Sequence, residues 1–82
     1  MIIKYFAWIK NITNLEEEII LDKSIIDVKT LKTYLVIKYP KLKKYIINDD
    51  ILRIAVNLEY TDDNVSIKKN DEIAIFPPVS GG

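Results

Sequence analysis

The 82-residue chain contains no cysteine and no histidine. Without cysteine it can form neither a disulfide nor a thiolate metal site, and without histidine it lacks the commonest general base and zinc ligand. Nucleophile–histidine pairs are excluded for the same reason. Its two glycines are residues 81 and 82, so it has no glycine-rich loop that could cradle a phosphate. We therefore expect no bound metal or cofactor, and no catalysis by this chain on its own.

An excess of charge of either sign is also missing, because twelve Lys and Arg residues balance twelve Asp and Glu residues. Net neutrality gives the chain no global attraction to nucleic acid or to an anionic membrane. Lys41, Lys43 and Lys44 form a local basic patch, which we interpret as a solvated face.

No apolar run approaches the ~20 residues that span a bilayer, and Lys4 interrupts the first apolar stretch, which argues against a signal peptide. We expect a cytoplasmic location.

What the chain does contain is enough apolar material for one globular domain, since hydrophobic residues make up 49 % of it. The clearest element is an amphipathic helix, whose apolar residues recur at spacings of three and four: Val28, Leu31, Leu35 and Tyr39. Asp27 is placed to cap the N-terminus of this helix, and Pro40 should end it. For residues 41–50 the pattern leaves two alternatives open, a loop or a short helical turn.

Five other segments are predicted as strands from their β-branched and aromatic content or from their alternation. They are residues 2–9, 16–21, 52–60, 65–67 and 72–76, with turns predicted at 11–14, 61–64 and 68–71. We therefore predict that residues 1–76 form one α+β domain, a mixed sheet of four to five strands with one main helix packed on one face. A β-grasp (ubiquitin-like) arrangement fits this order, with the last strand parallel to the first in the middle of the sheet.

Period-two alternation assigns the two faces of the predicted sheet. In the first strand the inward set is Ile3, Tyr5, Ala7 and Ile9, and the outward set is Ile2, Lys4, Phe6 and Trp8. In the strand at 52–60, Leu58 is expected to point inward. If the first and last strands are neighbours, an apolar surface forms on the outer face from Phe6, Trp8, Ala74 and Phe76. An open apolar surface of roughly a few hundred Å² usually marks a partner site. There are two kinds of alternative. A loop or the 41–50 segment could cover this surface, or the strand register could be displaced by one residue, which would place these side chains in the core.

The last six residues are expected to form an extended, flexible tail. They are Pro77, Pro78, Val79, Ser80, Gly81 and Gly82. The proline pair favours polyproline II and would aim the tail away from the sheet, and the Val-Ser pair would continue it. The glycine pair is thin enough to thread a narrow channel, and it leaves the terminal carboxylate open to activation. The alternative is an ordinary frayed terminus.

Four segments carry a resemblance to a known family: YFA at 5–7, DVKTLKTYL with YP at 27–40, LRIAVNLEY at 52–60 and NDEIAIFPPVSGG at 70–82. They resemble the small subunits of molybdopterin synthase, the MoaD-like sulfur carriers of the ubiquitin-like superfamily. The resemblance covers nearly the whole chain, and its last segment is the most specific. Carriers of the thiamine pathway resemble the fold and the Gly-Gly end but usually lack the Pro-Pro spacer.

The resemblance implies a sulfur-donor subunit that is not an enzyme on its own. Gly82 would be adenylated by an E1-like enzyme that consumes ATP, and then converted to a thiocarboxylate with sulfur from a persulfide donor. The tail would insert into the large synthase subunit and give its sulfur to a cyclic pyranopterin, with two small subunits at the ends of a large-subunit dimer. Phe6 and Phe76 fall where the family places apolar contacts to the partner, and Lys10 falls where many members have a basic residue near that surface.

Two positions depart from the family pattern, and two other functions stay open. Asn70 replaces the usual glycine of a Gly-Asp-Glu turn, although Asn tolerates a left-handed backbone. Leu58 stands where a polar residue is common. The chain could instead be a sulfur carrier for another pathway, such as thiamine, tRNA thiolation or a tungsten cofactor. It could also be a ubiquitin-like modifier whose Gly82 forms isopeptide bonds.

Overall fold

The computed structural model describes residues 1–78, which form a five-stranded sheet with helices on one face. The strands are β1 (Ile2–Tyr5), β2 (Glu17–Ile19), β3 (Arg53–Val56), β4 (Glu59–Tyr60) and β5 (Glu72–Phe76). The order across the sheet is β2-β1-β5-β3-β4, in which β1 and β5 are parallel and the other neighbours are antiparallel. The predicted α+β, β-grasp architecture is confirmed, including the parallel central pair.

The main helix, α2 (Val28–Lys38), lies where the periodicity predicts it. Asp27 caps it as expected, because its carboxylate accepts a 2.7 Å hydrogen bond from the Thr30 amide. The Thr30 hydroxyl accepts in return from the Asp27 amide, which closes a capping box. Its buried residues, Val28, Leu31 and Leu35, face the sheet and join the core.

The segment after Pro40 is helical, which decides between the two alternatives for residues 41–50. A 3-10 helix (Pro40–Leu42) runs directly into the short helix α3 (Lys43–Ile46). Leu42 and Ile46 are one helical turn apart and are both buried in the core. This spacing leaves the intervening lysines on the outside, so burial of two side chains fixes the orientation of the whole segment.

The first predicted strand is too long. β1 ends at Tyr5, and Ala7 adopts a left-handed backbone with φ of 55° and is exposed, so it does not face inward. The chain then turns into helix α1 (Ile9–Thr13), which replaces most of the turn predicted at 11–14. Asn14 ends this helix in the left-handed region, which Asn tolerates better than most residues.

The prediction of one strand over residues 52–60 is also wrong, because the segment is a hairpin. Asn57 and Leu58 have φ of 51° and 71°, the signs that a two-residue turn between antiparallel strands requires at both positions. Leu58 is therefore 90 % exposed at the tip of the turn and does not point inward.

Three other predictions need adjustment. The predicted strand at 16–21 is confined to Glu17–Ile19. The predicted strand at 65–67 is reduced to a single bridge between Ser66 and Asp27. Asn70 lies in the expected turn, but it is not among the described residues with positive φ, so this turn does not need the special backbone freedom of glycine.

Candidate docking surface at the root of the tail

The parallel pairing of β1 and β5 places two phenylalanines side by side. Tyr5 is paired with Ile75, and the Phe6 amide continues the ladder by donating a 3.0 Å hydrogen bond to the Ile75 carbonyl. Ile73 and Ile75 are fully buried against the helices, so alternation turns Ala74 and Phe76 to the outer face. Phe6, just beyond β1, is 46 % exposed. Phe6 and Phe76 therefore lie at the same end of the sheet, where the chain leaves β5.

Tyr60 extends this surface, although the sequence analysis did not identify it. It is paired with Ala55, which is itself paired with Ala74, so all three share the outer face. The Tyr60 and Phe76 rings lie 5.9 Å apart, and the Arg53 guanidinium lies 5.5 Å from the Tyr60 ring centre. The position of Tyr60 depends on a two-residue hairpin turn at Asn57-Leu58. Recognising this turn from the sequence would have placed Tyr60 beside Ala55.

We call the set Phe6, Ala74, Phe76 and Tyr60 the outer apolar patch. Its border toward β2 is polar, because Lys4 and Glu72 form a 2.7 Å ion pair on the same face. The hydrogen bond to Glu72, together with the negative charge of that residue, raises the pKa of Lys4 above its usual value. The patch is therefore an apolar surface with a charged rim, the composition usual for a protein–protein contact.

Trp8 does not belong to the outer apolar patch, which corrects its assignment to the outer face. The left-handed Ala7 turns the chain away from the sheet, and the Trp8 ring packs edge-on against Tyr45 at 4.9 Å, beside the core. Lys10 is exposed on α1, one residue after the buried Ile9. Its proposed role near a partner stays a prediction.

The tail starts directly from the outer apolar patch. Pro77 and Pro78 follow Phe76 outside regular secondary structure and are half-buried. The other tail residues named from the sequence, Val79, Ser80, Gly81 and Gly82, lie outside the described residues. Because Phe76 directly precedes Pro77, the tail begins at the end of the sheet occupied by Phe6 and Phe76.

Two further observations bear on the class of protein. Among residues 1–78, no group of three or more Asp or Glu side chains is arranged to hold a metal ion. The helices of that same part of the chain are all too short or too polar to cross a bilayer.

A family model described as the ThiS family matches residues 3–82. The chain belongs to the ThiS family. The resemblance to MoaD-like sulfur carriers is confirmed by its curated relatives. It is 42 % identical over 48 residues to the molybdopterin synthase sulfur carrier subunit of Arabidopsis thaliana, a match that covers 58 % of this chain and 47 % of the relative. The corresponding protein of Dictyostelium discoideum is 46 % identical over 46 residues, covering 54 % and 50 %. The chain thus spans about half the length of these relatives.

Solved structures show the same fold over nearly the whole chain. A Pyrococcus furiosus protein, provisionally named subunit 1 of molybdopterin converting factor, has a TM-score of 0.83 at 28 % identity and 95 % coverage of both chains. Small archaeal modifier protein 1 of Haloferax volcanii has a TM-score of 0.79 at 26 % identity, covering 99 % and 97 %. One chain of the complex of subunits 1 and 2 of molybdopterin-converting factor from Helicobacter pylori is also similar. Its TM-score is 0.68 at 29 % identity, and the match covers 99 % of this chain and 96 % of that one.

Proposed function

We propose that this protein is the sulfur carrier subunit of molybdopterin synthase. The carboxylate of Gly82 would be adenylated with release of pyrophosphate. The terminal sulfur of a protein persulfide would then displace AMP to form an acyl disulfide, and a second thiol of the activating machinery would cleave its S–S bond, ending as a disulfide and releasing the thiocarboxylate. This group would supply sulfur to a cyclic pyranopterin during synthesis of the molybdenum cofactor. The chain itself would bind no cofactor, and the ATP would be consumed by the activating enzyme.

The observation that carries this proposal is the position of the outer apolar patch at the root of the tail. A carrier must present its terminus to an active site in another protein, so it needs a recognition surface close to the point where the tail leaves the domain. Phe6 and Phe76 provide such a surface, and Phe76 directly precedes the Pro77-Pro78 spacer. Phe76 lies on β5, and the Phe6 amide is hydrogen-bonded to the Ile75 carbonyl directly after β1, so the surface needs little ordering when a partner binds.

The proposed partners are those implied by the resemblance to small subunits of molybdopterin synthase. The large synthase subunit would cover the outer apolar patch while the tail inserts into it, in a heterotetramer with two small subunits. The complex of subunits 1 and 2 of molybdopterin-converting factor from Helicobacter pylori supports such a pairing. An E1-like adenylating enzyme and a sulfur donor would meet the same terminus at an earlier step, in the cytoplasm.

A second candidate is a ubiquitin-like modifier, in which Gly82 forms isopeptide bonds with lysines of other proteins. The likeness to small archaeal modifier protein 1 favours it, at a TM-score of 0.79. A carrier serving thiamine synthesis, tRNA thiolation or a tungsten cofactor stays a third candidate, within the same family of proteins. The sulfur carriers and the modifier share activation of the terminus, so they are distinguished by the product.

Intact-protein mass spectrometry of the chain from its native cells tests the product directly. A carrier should show a population in which one oxygen is replaced by sulfur, whereas a modifier should be found attached to lysines. Finding conjugates but no thiocarboxylate would overturn the proposal. Copurification with a synthase large subunit would distinguish molybdopterin synthesis from other sulfur pathways.

Gly82→Phe tests the terminus in a reconstituted synthase. A ring at the last position should block insertion into a narrow channel and abolish sulfur transfer, while the circular dichroism spectrum stays unchanged. Lys23→Phe is the matched control, because Lys23 is exposed in a loop after β2. Transfer at the normal rate by Gly82→Phe would show that the terminus is not the carrier site.

A further inference from the structure

A second apolar surface lies on the helical layer, away from the outer apolar patch. It is a groove of about 650 Å³ between α1 and the segment that follows Pro40. We call it the lysine-rimmed groove, and it is lined by Ile12, Tyr45, Ile47, Lys41, Lys43 and Lys44. None of these residues takes part in the surface proposed for the synthase, so an inference from the groove does not rest on the proposed function.

Tyr45 forms the floor of the groove and is fixed by packing. Its ring centre lies 4.9 Å from that of Trp8, and both rings pack against the core. Ile47, immediately after α3, is 79 % exposed and forms an apolar wall. Ile47 therefore adds exposed apolar surface at the edge of the groove.

Three lysines surround the groove, and the ammonium of one of them, Lys44, lies 5.0 Å from the Tyr45 ring centre. Burial of Leu42 and Ile46 turns Lys41, Lys43 and Lys44 outward, and all three are exposed. Within residues 1–78, the lysines that form ion pairs are Lys4, Lys32 and Lys38, and none belongs to the rim. In a chain of zero net charge, this is a local positive field around an apolar floor.

We propose that the lysine-rimmed groove is a docking site for an acidic segment of a partner protein, one that presents an apolar side chain between carboxylates. The apolar side chain would lie against Tyr45 and Ile47, and the flanking carboxylates would pair with the lysines. Complementary charge would steer the encounter and select the partner, while burial of apolar surface would supply affinity.

An anionic membrane would meet the same lysines, but the shape and the surrounding charge disfavour it. The apolar lining lies between α1 and the segment after Pro40, so a side chain that enters the groove contacts Tyr45 more closely than a flat bilayer surface does. Asp49 and Asp50 are exposed directly beyond the groove segment and would repel a broad anionic surface.

The test is a titration of the ¹⁵N-labelled full chain with an acetylated, amidated octapeptide of sequence Glu-Asp-Glu-Leu-Phe-Glu-Asp-Glu. Amide shifts should change at Ile12, Lys43, Lys44 and Ile47, with a Kd below about 1 mM that rises with salt. The peptide with Gln and Asn in place of its acids should bind at least about tenfold more weakly, because it lacks the charges that pair with the rim.

Matched variants separate the groove from general electrostatics. Replacing Lys41, Lys43 and Lys44 together with Glu should weaken peptide binding about tenfold or more. The same change of charge at Lys23, Lys29 and Lys69, which are exposed elsewhere, should change it less than about threefold. Ile47→Ser should weaken binding several-fold, because it removes apolar surface that the peptide buries.

Three outcomes overturn the proposal. One is the absence of shift changes at the groove at about 1 mM peptide. The second is equal weakening by the two lysine triple variants, which would mean that only net charge matters. The third is sedimentation with vesicles of phosphatidylserine and phosphatidylcholine that depends on the rim lysines while the peptide does not bind, which would assign the surface to a membrane.

Discussion

Glu18 is an acidic residue that faces the helices from an edge strand. It is paired with Ile3 across β1, so its side chain lies on the inner face of the sheet. There its carboxylate accepts hydrogen bonds from the Tyr5 hydroxyl, from the Tyr39 hydroxyl at 3.0 Å and from the Lys38 ammonium at 2.8 Å. Burial alone would raise the pKa of Glu18, but the hydrogen bonds from Lys38, Tyr5 and Tyr39 outweigh it and lower the pKa.

Glu18→Ala should destabilise the domain by about 2–4 kcal/mol. Most of this cost comes from Tyr5, which is 2 % exposed, because its hydroxyl loses a charged acceptor in a place that water cannot easily reach. Tyr39 and Lys38 are more accessible, so water can replace their lost partner and each adds less than about 1 kcal/mol. The total is a large fraction of the roughly 5–15 kcal/mol that stabilises a typical domain.

A double-mutant cycle measured by urea unfolding gives the sharpest test. In the wild-type background, Tyr5→Phe removes the donor of a good hydrogen bond and should cost about 1 kcal/mol or more. In the Glu18→Ala background, the same change removes an unsatisfied buried hydroxyl and should be neutral or stabilising. An equal cost in both backgrounds would refute the coupling of Tyr5 to Glu18.

The same network predicts an acid dependence of known sign. The pKa of Glu18 in the folded chain is below its usual value of 4.5, so ionised Glu18 favours the folded state. Its contribution is fully present above pH 4.5 and is lost as pH falls through the folded pKa. The difference in unfolding free energy between wild type and Glu18→Gln should therefore shrink as pH falls below that value. A constant difference would contradict the lowered pKa.

Three other changes have defined outcomes. Asp27→Ala removes the side-chain acceptor of the Thr30 amide and should cost about 1 kcal/mol in urea unfolding, whereas Asp27→Asn should cost less. Leu58→Gly should stabilise the domain by about 0.5–1 kcal/mol, because glycine accepts the φ of 71° without strain, and a loss of stability would argue against this turn. Phe76→Asp should weaken binding to a synthase large subunit by about 2 kcal/mol or more in calorimetry. Leu21→Asp places the same charge at an exposed leucine outside the outer apolar patch and should leave that affinity unchanged.

The fold was predictable because its central elements bury one face only. The spacing of Val28, Leu31 and Leu35 predicts α2, because every third or fourth side chain of this helix must reach the core. Strict alternation around Ile73 and Ile75 predicts β5, because every second side chain of this strand must reach the core. The end of β1 was predicted wrongly because one residue there fits both the strand pattern and the helix pattern. Ile9 is buried whether the chain continues as a strand or turns into a helix, so its burial could not locate the end of β1.

Backbone conformation explains the other misses. Ala7 and Leu58 have positive φ, although neither residue type favours it. Sequence preference predicts extended backbone at both positions, so the turns at the end of β1 and between β3 and β4 were missed. Each error had a consequence at the candidate site: the first placed Trp8 wrongly on the outer face, and the second hid Tyr60 from it. Phe6, Ala74 and Phe76 were placed correctly because their positions follow from the parallel pairing of β1 with β5, which the Phe6 amide continues by one residue.

The two proposed surfaces lie on opposite layers of the domain, and this separation has a consequence for how partners could combine. In the proposed function, a protein that receives the tail covers the outer apolar patch, since Phe76 immediately precedes the Pro77-Pro78 spacer. On that proposal, proteins that act successively on Gly82 should exclude one another. The lysine-rimmed groove is on the helical layer, so a partner held there leaves the patch accessible. Saturating the groove with the acidic octapeptide should consequently leave the Kd for a large subunit unchanged, whereas competition between the two ligands would mean that the surfaces are coupled.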